Sequence, residues 1–179
     1  HFIEQIKNKE WGATSFGLEL EGKTIGIVGF GRIGKNIARY AQAFAMKVLY
    51  YDPFISDEIS PYKKVELEIL FKGADFISLH APLTDDTREM INDKLLSFMK
   101  KEAFLINTAR GELINEEALY LYLKENRIAG AALDVFTHEP PFDSPLLSLP
   151  NVITTPHISS HTREANLKMG RRRCPIGMA

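Results

Sequence analysis

The turn Gly29-Phe30-Gly31-Arg32-Ile33-Gly34 constrains this chain more than any other stretch. It follows Lys23–Val28, an apolar run of strand length. It opens Arg32–Ala45, where Ile33, Ile37, Ala38, Ala41, Phe44 and Ala45 recur at helical spacing. A second apolar run, Val48–Tyr51, ends in Asp52, 18 residues beyond Gly34. Strand, glycine turn, helix, strand and acid in that order make a dinucleotide-binding fingerprint in its full context. Gly29 permits the tight turn, Gly31 lets backbone approach a pyrophosphate, and Gly34 lets the helix pack close on the strand. The free N–H groups and positive dipole end of the helix then face the phosphates. A carboxylate at Asp52 accepts from the adenosine ribose hydroxyls and repels a 2′-phosphate, which points to NAD rather than NADP. Arg32 stands either against the pyrophosphate or as a solvated charge. The alternative for the whole stretch, a structural turn in some other α/β domain, leaves the acid and the second strand unexplained.

Beyond Asp52 short apolar runs alternate with helical ones. Ser56–Lys64 reads as a polar loop or short helix, and Val65–Lys72 as a short helix closed by a Gly73 C-cap. Asp75–Leu79, Ala103–Asn107, Gly130–Val135 and Val152–Thr155 read as strands. Asn92 caps a helix to about Lys100, and Asn115 caps one to about Asn126, with Glu116 and Glu117 where the dipole favours acids. Thr162–Met169 starts a final helix. This alternation predicts an α/β fold, a doubly wound parallel sheet of the Rossmann type with helices on both faces. Ligands in such sheets bind beyond the carboxyl ends of the strands, where Asp52, His80, Arg110, Asp134 and His157 fall.

Composition sets the outer bounds. The 179 residues suit one domain with a proper core, and 22 basic against 23 acidic residues give no electrostatic case for nucleic acid or an anionic membrane. A single cysteine, Cys174, excludes an internal disulfide framework and fits a reducing compartment, so a cytoplasmic location is the expectation. No run approaches a membrane span and no ligand cluster for a metal is evident. His1–Glu10 has the pattern of the last turns of an amphipathic helix, and Trp11–Gly22 that of a glycine-punctuated connection. Residues 23–170 are then the nucleotide-binding domain, and Arg171–Ala179 breaks with the preceding pattern as a non-native tail would.

Three further segments follow strand ends: Asn107-Thr108-Ala109-Arg110-Gly111, Leu133-Asp134-Val135-Phe136-Thr137-His138-Glu139-Pro140 and Thr155-Pro156-His157-Ile158. With the glycine turn they make four ordered motifs, and on these the chain resembles the nucleotide-binding domain of the D-isomer-specific 2-hydroxyacid dehydrogenases from about Gly17 to Gly170. The resemblance implies that Arg110 grips the substrate carboxylate and carbonyl, that His157 is the catalytic acid/base, and that Glu139 is its carboxylate partner. It places Asp134 beside the nicotinamide and Arg32, Ile33, Asp52, Ala81, Pro82, Thr87, Thr108 and Ala109 at the cofactor. Histidine suits a proton transfer near neutral pH because its ordinary pKa is about 6.5. The plainer alternatives are a capping or Glu112-paired charge for Arg110, a solvated acid for Glu139 and a structural histidine for His157. His138 and His161 read as bland, and His80 as a wall of the cofactor pocket.

Pro141–Leu149 followed by Pro150-Asn151-Val152 looks most like the phosphoglycerate dehydrogenases, whereas Ile158-Ser159-Ser160-His161-Thr162 departs from that subgroup's glycine- or alanine-containing run. Glu139 argues against the formate-oxidising branch. The family also carries a substrate-binding domain built from both flanks, which is absent from this chain. The expectation is therefore the cofactor domain of an NAD-dependent dehydrogenase of 3-phosphoglycerate or a similar small acid. It would pair as a homodimer through apolar residues of His1–Leu20, including Phe2, Ile3, Trp11 and Phe16. Two other classes remain open at this point: a non-catalytic NAD-sensing module like the corepressors that share the fold, and a Rossmann enzyme using S-adenosylmethionine.

Overall fold

The structure is a computed structural model and describes residues 2–9, 11–12, 17–165 and 167. Seven strands form one sheet: β1 (Thr24–Val28), β2 (Lys47–Tyr51), β3 (Lys63–Lys64), β4 (Phe76–Leu79), β5 (Phe104–Asn107), β6 (Gly130–Leu133) and β7 (Val152–Thr154). Their order is β3-β2-β1-β4-β5-β6-β7 and every neighbouring pair is parallel. The helices are α1 (Phe2–Lys7), α2 (Arg32–Ala43), α3 (Leu67–Gly73), α4 (Asp93–Leu96) and α5 (Glu116–Lys124), with short 3₁₀ helices at Gly111–Leu113 and Pro145–Ser148. This is the expected doubly wound sheet, and its order reverses between β1 and β4, where such folds open a crevice.

Register does the positioning. Tyr51, Val28, Leu79, Asn107, Leu133 and Thr154 stand in one row across six strands. The next residue on each strand is therefore Asp52, Gly29, His80, Thr108, Asp134 or Thr155, all at one sheet edge.

The core splits about β1. Ile25 and Ile27 pack with Ala38 and Ala41 of α2 on one face, while Val28 packs with Leu70 and Phe71 of α3 on the other. The larger cluster continues through Leu95, Leu96, Leu119, Tyr122 and Leu123 of α4 and α5. On the α2 side the cover thins along the sheet, with Ile106 and Ala132 half-buried and Ile153 71% exposed.

Four local expectations need correction. Ser56–Lys64 ends in a two-residue edge strand, β3, paired to β2 through Leu49↔Lys63 and Tyr50↔Lys64. Its lysines mark it as an edge that resists further pairing, which hid it from a search for apolar runs. Gly73 is the last residue of α3 rather than a cap; a Cβ there would come within 3.1 Å of Leu49 Cδ1, so its role is close packing on β2. α2 stops at Ala43 because Ala45 takes φ +55°, with Met46 N–H bonded to Ala41 O and Ala45 N–H to Gln42 O, the Schellman arrangement. Asn92 caps α4 through Leu95 N–H at 3.3 Å, yet the helix ends at Leu96, where Phe98 and Met99 tighten to three-residue bonds.

Asn115 caps α5 through Ala118 N–H at 2.9 Å, as expected. Residues 163–165 and 167 are helical. The remainder of that expected helix, the Arg171–Ala179 tail and Phe16 lie outside the described residues. Trp11 is 94% exposed, and no described helix is long and apolar enough to cross a membrane.

Candidate functional site

Two clefts open along the sheet edge. The first, of about 470 Å³, lies beyond β1, β2 and β4, with Gly29, Asp52, Phe54, Ala81, Pro82 and Thr87 among its walls. Gly29 adopts φ +88°, and a Cβ on it would sit 2.7 Å from His80 C and O and Ala81 N, so only glycine fits between the two strand ends. A Cβ at Gly34 would fall 2.2 Å from Gly29 O, which holds the start of α2 against the turn. At Gly31 a Cβ would meet no protein atom within 4 Å. No side chain caps α2, which leaves its first N–H groups without a capping acceptor. That combination of uncapped donors and an unobstructed approach fits a pyrophosphate.

Asp52 is fixed by two backbone donors, Phe30 N–H to Oδ2 at 2.8 Å and Phe54 N–H to Oδ1 at 3.0 Å. Both oxygens keep lone pairs for further donors. Arg32 and Ile33 stand exposed at the start of α2, Ile33 by 63%. The Thr87 hydroxyl donates to Pro82 O at 2.8 Å and accepts from Thr84 N–H at 2.7 Å, shaping the wall that Ala81 and Pro82 begin. His80 is half-buried with Nε2 2.9 Å from Ser78 Oγ, and burial lowers its pKa. Among the described residues no group of three or more His, Cys, Asp or Glu side chains is placed to hold a metal ion.

The second cleft, of about 260 Å³, brings Arg110, Glu139 and His157 together from three strand ends. His157 Nδ1 lies 2.8 Å from Glu139 Oε2. Glu139 Oε1 accepts from Phe136 N–H at 3.1 Å. The hydrogen bond from His157 is the main cause that holds the Glu139 carboxyl below its ordinary range. Among the described residues nothing bonds His157 Nε2, and no carboxylate pairs with Arg110, Glu112 included. The Arg110 guanidinium donates only to the neighbouring Ala109 O, at 2.6 Å. Thr108 is exposed and Ala109 half-buried on the turn leading to it. His138 and His161 are exposed.

Asp134 sits differently from the others. It is 3% exposed, and its carboxylate is consumed by the His157 turn. Oδ1 accepts from Thr155 Oγ1 at 2.5 Å and Ile158 N–H at 2.9 Å, and Oδ2 from Ser159 N–H at 2.9 Å. Its carbonyl accepts from His157 N–H at 2.9 Å, supporting a histidine whose φ is +52°. Burial pushes the Asp134 carboxyl up, but these hydrogen bonds together outweigh it and hold the pKa at about 2. A depressed carboxyl stabilises the fold above its unfolded pKa, near 3.8, and that stability is lost as pH falls toward 2. Asp134 should therefore contribute roughly 2 kcal/mol at neutral pH that disappears across that window. Asp134→Asn should lose stability at pH 7 and show a flatter acid-unfolding curve between pH 4 and 2; a curve parallel to the wild type would contradict the assignment.

Two positions of the Asn107–Gly111 motif have structural roles that the sequence did not assign. A Cβ at Gly111 would lie 1.9 Å from Phe136 C and 2.2 Å from Phe136 O, so this glycine lets the Arg110 turn touch the Glu139 loop. Asn107, fully buried at the end of β5, bonds the same turn from beneath. Its place at the head of that motif, an amide ending an apolar strand run, is its signal in the sequence.

Residues 1–159 match the family model described as D-isomer specific 2-hydroxyacid dehydrogenase, NAD binding domain. A D-3-phosphoglycerate dehydrogenase of Methanocaldococcus jannaschii is 49% identical over 170 residues, covering 92% of this chain and 32% of that protein. A hydroxypyruvate reductase of Thermotoga maritima is 46% identical over 169 residues, covering 92% of this chain and 55% of that protein. Among solved structures, an acyclic imino acid reductase in complex with NADPH and D-Arg superposes with a TM-score of 0.89 at 40% identity, covering 93% of this chain and 54% of that one. The chain thus spans about a third to about half the length of these relatives. With the glycine turn, the acid after β2 and the matched length all in agreement, the chain belongs to the NAD-binding-domain family of the D-isomer specific 2-hydroxyacid dehydrogenases.

Proposed function

We propose that this chain is the cofactor-binding unit of an NAD-dependent dehydrogenase that interconverts a small D-2-hydroxy acid, 3-phosphoglycerate or a close analogue, with its 2-keto acid. The observation that carries the reading is the meeting of Arg110, Glu139 and His157 in one cleft, with His157 Nδ1 2.8 Å from a carboxylate and Nε2 left to the cleft. The phosphoglycerate assignment leans on the Pro141–Leu149 segment and on the 49% identical relative of that name. Flanking sequence would supply the substrate unit, and a homodimer paired through residues near Trp11 completes the proposal.

NAD(H) would be held by the Gly29–Gly34 turn, the first N–H groups of α2 and Asp52, and when bound it exchanges a hydride with substrate C2. Everything else falls to the chain's own residues. Arg110 offers a planar pair of donors to the substrate carboxylate and so sets which carbon faces the cofactor. Protonated His157 donates its Nε2 proton to the carbonyl oxygen in reduction and takes it back in oxidation. Glu139 keeps the Nδ1 proton in place and orients the ring.

The test is turnover of NADH by the full-length protein against a panel of 2-keto acids, including 3-phosphohydroxypyruvate, hydroxypyruvate, glyoxylate and pyruvate. A clear preference within the panel supports the proposal, and no turnover of any member overturns it in favour of an NAD-sensing role. The chain alone should bind NADH without turnover.

Cofactor choice rests on Asp52, because a 40% identical neighbour is seen with NADPH and the fold alone does not decide. Calorimetry should show NAD(H) bound at least about tenfold more tightly than NADP(H), a gap of about 1.4 kcal/mol. Asp52→Ala should narrow it. Equal affinities in the wild type would contradict the role given to this carboxylate.

A further inference from the structure

Ser78, Asn107 and Asp134 are the buried polar or charged side chains among the described residues. Asp134 serves the His157 turn and Ser78 meets His80, which leaves Asn107. Its side chain is 0% exposed, and both ends of the amide are spent on a single turn. Oδ1 accepts from Ala109 N–H at 3.0 Å, and Nδ2 donates to Arg110 O at 2.8 Å. One partner is a donor and the other an acceptor, so the amide has only one workable orientation. The first contact makes an Asx turn of Asn107-Thr108-Ala109, and the second closes it onto Arg110 itself. The Asn107 main-chain carbonyl meanwhile accepts from Asp134 N–H at 2.9 Å, tying this turn to the strand end behind His157.

Arg110 has little else to hold it. Among the described residues no carboxylate braces its guanidinium, whose one bond goes to the adjacent Ala109 O. Its placement must come from its backbone, and that backbone is fixed from below by Asn107 and from the side by the Gly111–Phe136 approach.

We propose that Asn107 is the positioning residue for Arg110: its amide sets the direction in which the arginine leaves the sheet edge, and so the reach of the guanidinium to a substrate carboxylate. This rests on the dehydrogenase reading above. Asn107 is fully buried and acts through the turn it holds. Removing it should therefore degrade carboxylate recognition while leaving the first cleft intact.

The experiment uses the full-length protein with NADH and its preferred 2-keto acid. Asn107→Ala should raise KM for the acid by about tenfold or more, a larger factor than the accompanying change in Kd for NADH, to which Thr108 and Ala109 of the same turn contribute. In an Arg110→Lys background, where the bidentate grip is already lost, the same change should cost less than about threefold, because the two residues act as one unit. Effects that simply multiply in the double variant would overturn the proposal, as would an unchanged KM in Asn107→Ala. Asn107→Asp, which keeps the Oδ1 acceptor and loses the Nδ2 donor, and Asn107→Ser read the same split should the alanine variant fold poorly. Loss of NADH binding in all three would also overturn it, since Asn107 would then support the domain as a whole. Absence of turnover by the wild type is a separate result, which removes the functional reading and this inference with it.

Discussion

Replacing His157 with alanine in the full-length protein is expected to lower kcat for 2-keto acid reduction by about 10²–10⁴-fold, the usual contribution of a positioned general acid. NADH affinity should stay within about twofold of wild type, because His157 lines the second cleft and not the first. The partner carboxylate carries the finer test. Glu139 Oε2 lies 2.8 Å from Nδ1 and fixes the orientation of the ring. Its own carboxyl is held below the ordinary range by that same hydrogen bond, so it remains ionised at neutral pH. Glu139→Gln should accordingly lower kcat by about tenfold or more while leaving NADH affinity within about twofold of wild type. Near-normal turnover in His157→Ala or in Glu139→Gln would show that another group handles the proton.

Gly111→Ala should be the most disruptive single methyl in the site. The added carbon would lie 1.9 Å from Phe136 C, 2.2 Å from Phe136 O and 2.3 Å from Thr137 N, all of them backbone atoms with no rotamer to yield. One segment must move. The 136–139 loop is anchored by Thr137 N–H to Glu116 Oε1 at 2.6 Å and Phe136 N–H to Glu139 Oε1 at 3.1 Å, so its displacement breaks bonds that aim Glu139. Displacement of the other segment carries Arg110 away instead. Overpacking of this kind costs about 1–3 kcal/mol. In a chain of this size that is a fall in Tm of about 2–12 °C. The kcat/KM for the keto acid should drop about 100-fold or more, since misplacement by an ångström is costly at a reacting centre. Wild-type Tm and turnover in this variant would mean that the contact is not rigid.

What the sequence disclosed and what it hid divide along a physical line. The Gly29–Gly34 turn, α2 and Asp52 were legible because their signal is local: periodicity, turn chemistry and spacing all fall within 30 residues. The same holds for the Asn115 cap. β3 was not legible, since two lysines at a sheet edge carry no apolar pattern. Gly73 misled because a glycine ending a helical run has two uses, and burial against Leu49 selects the one that spacing cannot show. Ala45 hid the end of α2, being a residue with no visible preference for φ +55°. Asn107, Gly111 and the clamp that Asp134 places on residues 155–159 belong to a third kind. Gly111 and the Asp134 clamp depend on segments 20 or more residues apart meeting at the strand ends, whereas Asn107 bonds its own turn and needs the sheet only to bury its amide.

The main-chain bond from Asp134 to Asn107 ties the ends of β5 and β6 together. Through it the Arg110 turn and the Asp134 clamp beneath His157 would move as one body with the sheet. On the proposed reading, the head common to all 2-keto acids, a carboxylate beside a carbonyl, would be met by this rigid edge. The differing tails would then be left to the sequence that flanks this chain in its longer relatives.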